Sequence, residues 1–307
     1  MVNTVKLYQA LLRATMKLAG LRPRKIEIEP GTIMNFWAPT QSQNNTKNAV
    51  VFLHGFVGDG MMTWHLQVLA LAKKYAVYVP DLLFFGSSAT GDSRRTVDFQ
   101  AECVAKGLLA LGLQRCTVVG FSYGGMVAFK LAELQPELVE SVVATCSIPA
   151  MTESMSKECL EKLGCPTWSE LLLPNSVSGV KKAVGSHRLP RIPNRVFKDS
   201  LEVIFNNKKE KAELLEAFVI PDKDFTLPEY SQLRLGLSVF VPLNSFASFD
   251  LLESLSFGRK LGTKATLECI EKASHLAIWE RPFVYSKCLK RILASIYDKR
   301  SNEFCYE

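Results

Sequence analysis

Short apolar segments alternate with helical patterns through this 307-residue sequence, and that alternation restricts the fold more than any other feature. The apolar segments lie at 49–53, 75–79, 116–121 and 139–146. Strands that are apolar along their whole length are typical of parallel sheets covered on both faces, and the helices between the strands supply that cover. We therefore predict a mainly parallel sheet with helices on both faces. The predicted helices span about 61–73, 96–111 and 124–135.

The segments outside this alternation predict a hairpin, an insertion and a return to the sheet. A hairpin is predicted over 25–37, around a Pro-Gly pair. Residues 150–228 carry helical pieces, many charges and several prolines but no clear strand, so we expect a helical lid over the strand ends. The predicted core therefore consists of 1–149 and 229–307, with 150–228 inserted as the lid. The last predicted elements are two strands and a helix, at 235–241, 265–270 and about 282–297.

Composition and charge exclude several classes of function. The chain is 48% hydrophobic and 22% charged, with a net charge of +7, which is ordinary for a globular protein. We predict no nucleic-acid partner, because no basic run is interleaved with aromatic residues. No run of about 18 apolar residues occurs, so no transmembrane helix is predicted. The sequence gives no indication of an oligomeric state.

Eight cysteines are scattered through the chain without CxxC pairs and without Cys/His clusters of metal-ligand spacing. Several lie within apolar runs, as Cys116 and Cys146 do, where a reduced thiol packs like a small hydrophobic side chain. We therefore predict no bound metal, no disulfides and a reducing, cytoplasmic location.

Residues 3–25 predict a basic amphipathic helix. Its polar face holds Lys6, Gln9, Arg13 and Lys17. Its apolar residues, mostly on the other face, are Val5, Tyr8, Leu11, Leu12 and Leu18. The favoured interpretation packs this helix on the domain. The alternative lays it on a membrane, which would give peripheral membrane contact through 3–25.

The segment Gly120-Phe121-Ser122-Tyr123-Gly124 fits the pattern G-x-S-x-G and lies between a predicted strand and a predicted helix. A serine on such a sharp turn needs small neighbours, because the turn brings two backbones close together. The helix N-terminus stabilises negative charge that develops beside the serine. We predict that Ser122 is a catalytic nucleophile.

A serine hydroxyl is a weak nucleophile until a base accepts its proton, and the sequence offers only four histidines. In sites built on this kind of turn, the acid and then the histidine follow the serine along the chain. His54 and His65 precede the serine, and His187 lies in the predicted lid. His275 follows a predicted strand, where a loop side chain can reach a neighbouring strand end. We therefore predict His275 as the base.

The segment His54-Gly55-Phe56 follows the first predicted parallel strand. Backbone N–H groups of this loop and of the residue after the nucleophile face the forming oxyanion in such sites, which selects Phe56 and Tyr123. The His54 side chain is expected to brace the loop, and Asp81 to form a structural turn beside the pocket. The predicted apolar substrate pocket includes His54, Phe85 and Phe121.

Four segments carry a family resemblance: His54-Gly-Phe, Pro80-Asp-Leu-Leu-Phe-Phe-Gly-Ser-Ser88, Gly120-Phe-Ser-Tyr-Gly-Gly125 and Ala273-Ser-His-Leu with Glu280-Arg-Pro. In these motifs the chain resembles the plant group of α/β-hydrolases, which is similar to monoacylglycerol lipases and to bacterial hydrolases of meta-cleavage products. The resemblance implies the α/β-hydrolase fold and hydrolysis of esters or lipid acyl groups by a Ser-His-Asp triad without a cofactor. It disfavours epoxide hydrolysis and dehalogenation, because those members carry Asp at the position of Ser122.

The acid of the implied triad departs from the family pattern. In the family, the strand after the lid ends in Trp-Gly-x-x-Asp, and that Asp would fall near Phe246. No carboxylate occurs from Leu233 to Phe249, and Asp250 is the first that follows. We predict Asp250 as the third member of the triad, with helix capping as its alternative role and Asn244 as a neutral substitute. A different exon boundary over this stretch is a further hypothesis.

Two functions of different classes are compatible with this pattern. The first is a serine hydrolase that cleaves small-molecule carboxylic esters or acylglycerol-like lipids through an acyl-enzyme on Ser122. The alternative is a ligand-binding or receptor protein of the same fold, since the loss of a triad acid lowers turnover by about 10⁴-fold. Hydrolysis of C–C bonds would use the same residues.

Overall fold

A computed structural model of the chain describes residues 2–40, 47–184, 192–226, 236–242 and 265–303. Its helices are α1 (Thr4–Leu18), α2 (Gly60–Leu71), α3 (Val97–Ala110), α4 (Tyr123–Leu134), α5 (Glu153–Leu163), α6 (Trp168–Leu172), α7 (Val177–Val184), α8 (Asn194–Val203), α9 (Lys208–Ala217), α10 (Ala277–Glu280) and α11 (Pro282–Glu303). Its strands are β1 (Leu21–Glu29), β2 (Thr32–Pro39), β3 (Ala49–Leu53), β4 (Ala76–Pro80), β5 (Ala89–Thr90), β6 (Cys116–Phe121), β7 (Val139–Thr145), β8 (Met151–Thr152), β9 (Val219–Ile220), β10 (Gly236–Pro242) and β11 (Ala265–Ile270).

Nine of the described strands form one sheet, in the order β1-β2-β4-β3-β6-β7-β10-β11 with β5 beside β2. The six strands from β4 to β11 in this order pair in parallel, and β1, β2 and β5 add antiparallel pairs at one side. The predicted mainly parallel sheet and the predicted hairpin are therefore confirmed. The structure adds β5, whose two residues are too few to produce a periodic pattern.

The burial of the central strands explains their continuous apolar sequences. Every residue of β4, β6 and β7 is buried, so each strand presents side chains to a covered surface on both faces. Residues of α3 and α4 pack on one face of the sheet, and residues of α1, α2 and α11 pack on the other. Parallel strands end at a common edge, so the loops that follow Leu53, Phe121 and Ile270 meet there.

The chain between β7 and β10 contains α5 to α9, and we call 151–224 the helical insertion. The prediction that no strand occurs here is wrong in one detail, because β8 and β9 pair in parallel. Polar contacts, among others, join the insertion to the sheet domain. Arg95 Nε donates to Glu213 Oε2 at 2.8 Å, and Asn207 Nδ2 donates to the carbonyl of Phe84 at 3.2 Å. The domain boundaries at 150 and 228 stay a prediction.

Helix α1 begins after Asn3, whose side chain accepts hydrogen bonds from two backbone N–H groups of the first turn. Its buried residues Leu12 and Met16 pack in the core together with α2, and Val5 is buried as well. The interpretation that the helix packs on the domain is therefore confirmed. The prediction of one apolar face is wrong, because the exposed large hydrophobic residues include Tyr8, Leu11 and Leu18. Within the described residues, no helix is long and apolar enough to cross a membrane.

Candidate active site

Ser122 lies on the tight turn between β6 and α4. Its backbone has φ 52° and ψ −122°, a conformation that a side chain with a Cβ rarely adopts. Three glycines make this turn sterically possible. A Cβ on Gly120 would overlap the backbone of Gly124 and Gly125, and a Cβ on Gly124 would overlap the carbonyls of Leu53 and His54. The glycine spacing in the sequence is therefore a packing requirement of the turn.

The ring of His275 is within hydrogen-bonding distance of the Ser122 hydroxyl. The distance from His275 Nε2 to Ser122 Oγ is 3.1 Å, although the residues are 153 positions apart in the chain. The His275 ring also packs near the ring of Phe121, with 5.4 Å between their centroids. Ser274, the residue before the histidine, donates from its backbone N–H to the Glu280 carboxylate at 2.6 Å, which fixes the start of this loop. The geometry is that of a serine with an adjacent base.

The two predicted oxyanion donors lie in segments that touch. Tyr123 is the first residue of α4, where backbone N–H groups have no acceptor within the helix. Gly124 packs closely on the carbonyls of Leu53 and His54, at the start of the loop that carries Phe56. The rings of Phe56 and Tyr123 meet edge to face, with 5.7 Å between centroids. Both predicted donors are thus close to the serine turn.

Comparison with known proteins agrees with this architecture. Residues 48–164 match the α/β hydrolase fold family. A membrane phospholipase A described as a bacterial virulence factor superposes with a TM-score of 0.77 at 20% identity, over 95% of this chain and 92% of that one. This chain has the α/β-hydrolase fold. A 2-hydroxy-6-oxo-6-phenylhexa-2,4-dienoate hydrolase from Rhodococcus sp. strain RHA1 superposes with a TM-score of 0.70 at 20% identity, over 89% of this chain and 99% of that one.

Sequence relatives match parts of this chain. A pimeloyl-[acyl-carrier protein] methyl ester esterase from Aeromonas hydrophila is 35% identical over 100 residues, which is 33% of this chain and 38% of that protein. An uncharacterized protein from Mycobacterium bovis is 34% identical over 99 residues, which is 31% of this chain and 28% of that protein. The chain thus spans about a third of the length of these curated relatives.

The His54 side chain is fully buried and braces the loop that carries Phe56. Its Nε2 accepts from the backbone N–H of Leu82 at 2.9 Å, and its Nδ1 donates to the carbonyl of Gly55 at 2.7 Å. Burial lowers the pKa of His54 to about 4, so the ring is neutral, as these two bonds require. The ring packs against Phe85 at 5.2 Å between centroids. Contact between His54 and a substrate stays a prediction.

A pair of buried carboxylates stabilises the next loop. Asp81 accepts hydrogen bonds from the backbone N–H groups of Gly60 and Ser87 and from Asn35 Nδ2, at 3.0 to 3.1 Å. Its neighbour Asp59 accepts from a backbone N–H of the first turn of α2. Burial, and then the charge of Asp81, raise the pKa of Asp59 to about 7. These bonds agree with the predicted structural role of Asp81. The buried position of Asp59 was not predicted from the sequence.

The side chain of Lys211, in α9 of the helical insertion, lies near Phe85. Its side chain is 3% exposed, and its Nζ lies 4.7 Å from the centroid of the Phe85 ring. The ammonium donates to the carbonyl of Ile204 at 3.1 Å and to Asn206 Oδ1 at 3.0 Å. Burial lowers its pKa to about 8. No local signal predicts this burial, because Lys211 lies in a run of charged residues.

The structure brings together most of the predicted site and leaves its acid undescribed. The side chains of Phe56, Phe85 and Phe121 are all buried around the serine turn. Asp250, and with it the stretch 243–264, lies outside the described residues, as does His187. Among the described residues, no group of three His, Cys, Asp or Glu side chains is placed to hold a metal ion.

Proposed function

We propose that this protein is a serine hydrolase that cleaves carboxylic esters through an acyl-enzyme on Ser122. The observation that carries the proposal is the 3.1 Å distance from His275 Nε2 to Ser122 Oγ, on a serine held at positive φ between a strand and a helix. A base at this distance raises the nucleophilicity of a hydroxyl that is otherwise protonated and inert at neutral pH.

The proposed reaction proceeds in two halves. His275 accepts the Ser122 proton as Oγ attacks the ester carbonyl, and the oxyanion that forms is stabilised by the backbone N–H groups of Phe56 and Tyr123. The imidazolium then gives its proton to the departing alkoxide, which leaves an acyl-enzyme. Water then attacks the acyl carbonyl while His275 accepts its proton. The bond between the acyl group and Oγ breaks, the carboxylic acid leaves, and His275 returns the proton to the serine. Asp250 is the proposed partner that would hold the imidazole in the required tautomer.

The substrate class follows from the apolar surroundings of the serine. Phe56, Phe85 and Phe121 contribute aromatic surface, which favours a mainly apolar ester or an acylglycerol. We further propose that 150–228 act as a lid over this pocket. The motifs quoted above, similar to those of plant hydrolases and monoacylglycerol lipases, point to the same class. The named activity of the Aeromonas hydrophila relative, a methyl ester esterase, agrees with ester chemistry.

The state of the cysteines bears on where the protein works. All seven cysteines in the described parts of the chain are free thiols, four of them buried, which fits a reducing compartment. The proposed location is the cytoplasm. A small-molecule ester is the only partner that this function requires.

Activity-based labelling tests the proposed function. We expect a fluorophosphonate probe to label the wild-type protein but not Ser122→Ala, and His275→Ala to label at a strongly reduced rate. Ser178→Ala is the matched control, because Ser178 is an exposed serine of the insertion. If the wild type is not labelled and does not hydrolyse short-chain p-nitrophenyl esters, the proposal is wrong.

The same protein preparations separate the two alternatives. A ligand-binding protein would retain tight binding of an ester analogue in Ser122→Ala and show no turnover in the wild type. The absence of any carboxylate in 233–249 is the observation that favours this alternative. A C–C bond hydrolase would cleave a vinylogous diketone faster than a p-nitrophenyl ester, and Ser122→Ala would remove both activities.

A further inference from the structure

Helix α1 carries a second apolar stripe on the side that faces away from the protein. Its buried residues Val5, Leu12 and Met16 face the core. Leu7, Leu11 and Leu18 are 64%, 62% and 86% exposed. At 100° per residue these three leucines fall within about 40° of one another, roughly opposite the buried face. We call them the outer stripe.

The outer stripe is continuous along the helix. Ala14 is also exposed and falls within about 20° of Leu7 around the helix. An apolar face of this length on the outside of a folded domain has no role in packing the core, and such patches mark contact surfaces. The adjacent helix α2 adds Leu69, which is 48% exposed.

Positive charge flanks the outer stripe. The first 26 residues contain six Lys and Arg residues and no Asp or Glu, whereas the rest of the chain holds 31 basic and 30 acidic residues. Lys6, Arg13 and Lys17 form one row along α1, beside the stripe. Arg22 extends this basic row, because its guanidinium donates to the carbonyl of Lys17 at 2.9 Å. With six basic and no acidic residues, the first 26 residues carry a charge of +6, which is nearly all of the chain's net charge of +7.

We propose that the outer stripe and the basic row bind the surface of a membrane that contains anionic lipids. The leucines would enter the boundary between headgroups and acyl chains, and the cations would lie among lipid phosphates and carboxylates. A second copy of the chain fits the surface less well. Two copies joined through a two-fold axis here would place the basic rows against each other, with no acidic residue of the first 26 to neutralise them.

The helix is held in place before it would meet a membrane. The Thr4 backbone N–H and hydroxyl both donate to the Asp199 carboxylate of α8, at 2.7 and 2.6 Å. Lys6 forms an ion pair with Glu202 of the same helix at 2.8 Å. A helix that is already folded and packed does not have to order itself on binding, which leaves more of the interaction free energy for affinity.

Vesicle co-sedimentation of the full chain tests the proposal. We expect binding to vesicles of phosphatidylcholine and phosphatidylserine at about 3:1, roughly tenfold weaker binding to phosphatidylcholine alone, and a loss of binding as salt is raised. Ser122→Ala should bind like the wild type, so a failed proposal about catalysis would leave this result unaffected. Equal binding to both vesicle types, or none to either, would overturn the proposal.

Two sets of variants separate the stripe from the charges. Leu7→Gln/Leu11→Gln/Leu18→Gln should lose at least tenfold in vesicle affinity, whereas Leu109→Gln should not, since Leu109 is 52% exposed on α3 at the opposite face of the sheet. Thermal unfolding will show whether the triple variant is folded. The single variant Leu18→Gln, at the most exposed position of the stripe, replaces the triple variant if it is not.

Charge variants test the basic row separately from the leucines. Arg13→Gln/Lys17→Gln should weaken binding to anionic vesicles about tenfold and leave binding to phosphatidylcholine unchanged. Lys157→Gln/Lys209→Gln, two exposed lysines of the insertion, should bind like the wild type. A concentration-dependent dimer that the leucine variants abolish in analytical ultracentrifugation would instead identify a second copy as the partner, and would overturn the membrane proposal.

Discussion

The serine turn and the helical insertion differ in the kinds of contact that hold them in the molecule. At the serine turn, backbone packs directly on backbone, and three glycines leave no room for any other residue. The insertion meets the sheet domain through buried apolar side chains, among them Leu214 and Phe218, and through long polar side chains such as those of Arg95, Asn207 and Lys211. Backbone cannot move aside as a side chain can, whereas partly exposed polar contacts exchange more readily with water. We therefore expect the serine turn to be the rigid side of the proposed site and the insertion to be the more adaptable side.

The largest effect expected is on the rigid side, from the loss of the base. We expect His275→Ala to lower kcat for a p-nitrophenyl ester by about 10⁶-fold, because the serine loses the base that lies 3.1 Å from its hydroxyl. Asp250→Asn should lower kcat by about 10⁴-fold if Asp250 orients the imidazole. Steady-state kinetics at neutral pH measures both. An Asp250→Asn variant with wild-type kcat would remove Asp250 from the triad and leave the Ser122–His275 pair intact.

The glycine packing gives the next largest effect. Gly124→Ala places a methyl group against the carbonyl oxygens of Leu53 and His54, and backbone cannot move aside as a side chain can. We expect the free energy of unfolding to fall by about 3 kcal/mol. Urea denaturation measures this change. Gly91→Ala is the control, because nothing lies within 4 Å of its new Cβ, and it should change stability by less than about 0.5 kcal/mol. Equal effects of the two substitutions would contradict the packing argument.

Lys211 offers a test of intermediate size on the insertion side. Its pKa of about 8 in the folded chain lies below that of an unfolded lysine, near 10.4. Between these values the unfolded chain binds more protons, so the free energy of unfolding should rise with pH there, by about 1–3 kcal/mol. The groups that raise this pKa against burial are Asp59 and Glu210. Urea denaturation at several pH values should show this rise in the wild type.

The rise should be absent from Lys211→Met and retained in Lys209→Met, whose lysine is exposed on the same helix. A wild type and a Lys211→Met variant with parallel pH profiles would mean that the ammonium is not buried in solution.

The smallest effect is expected at the ion pair between the insertion and the segment that precedes α3. Arg95 is 18% and Glu213 36% exposed, so their contact at 2.8 Å is partly screened by water. Glu213→Gln should lower the free energy of unfolding by less than about 1 kcal/mol. Arg95→Leu should cost more, because the guanidinium also lies 4.5 Å from the Phe84 ring centroid. A loss of several kcal/mol in Glu213→Gln would show that the insertion is held as tightly as the serine turn. That result would contradict the expected difference in rigidity.

The same contrast explains which parts of the molecule could be predicted from sequence. Strands β3 and β6 begin and end at the predicted residues, because a strand buried on both faces is apolar from end to end. Ser122 and His275 could be predicted because the turn leaves a glycine pattern and the chain has few histidines. The role of Asp59 had a weak signal, an aspartate just before an apolar helix, which is typical of a helix N-cap.

Other features depend on contacts that no local pattern encodes. The burial of Lys211 comes from Phe85, far away in the sequence, and the lysine itself sits among charged neighbours. The two apolar sides of α1 share one helical periodicity, so the sequence alone merges the buried leucine at position 12 with the exposed one at position 11.

The carboxylate of Asp199 ties together two parts of the molecule that the chain itself separates widely. Because Thr4 grips it with both its N–H and its hydroxyl, any swing of α8 away from the sheet domain has to break both bonds or pull the amino-terminal helix along. In the proposed lid arrangement, access to the serine and the packing of that helix are then mechanically linked. A protein fused ahead of Thr4 would pull on the same two hydrogen bonds. The position of an affinity tag alone could therefore change how readily α8 moves.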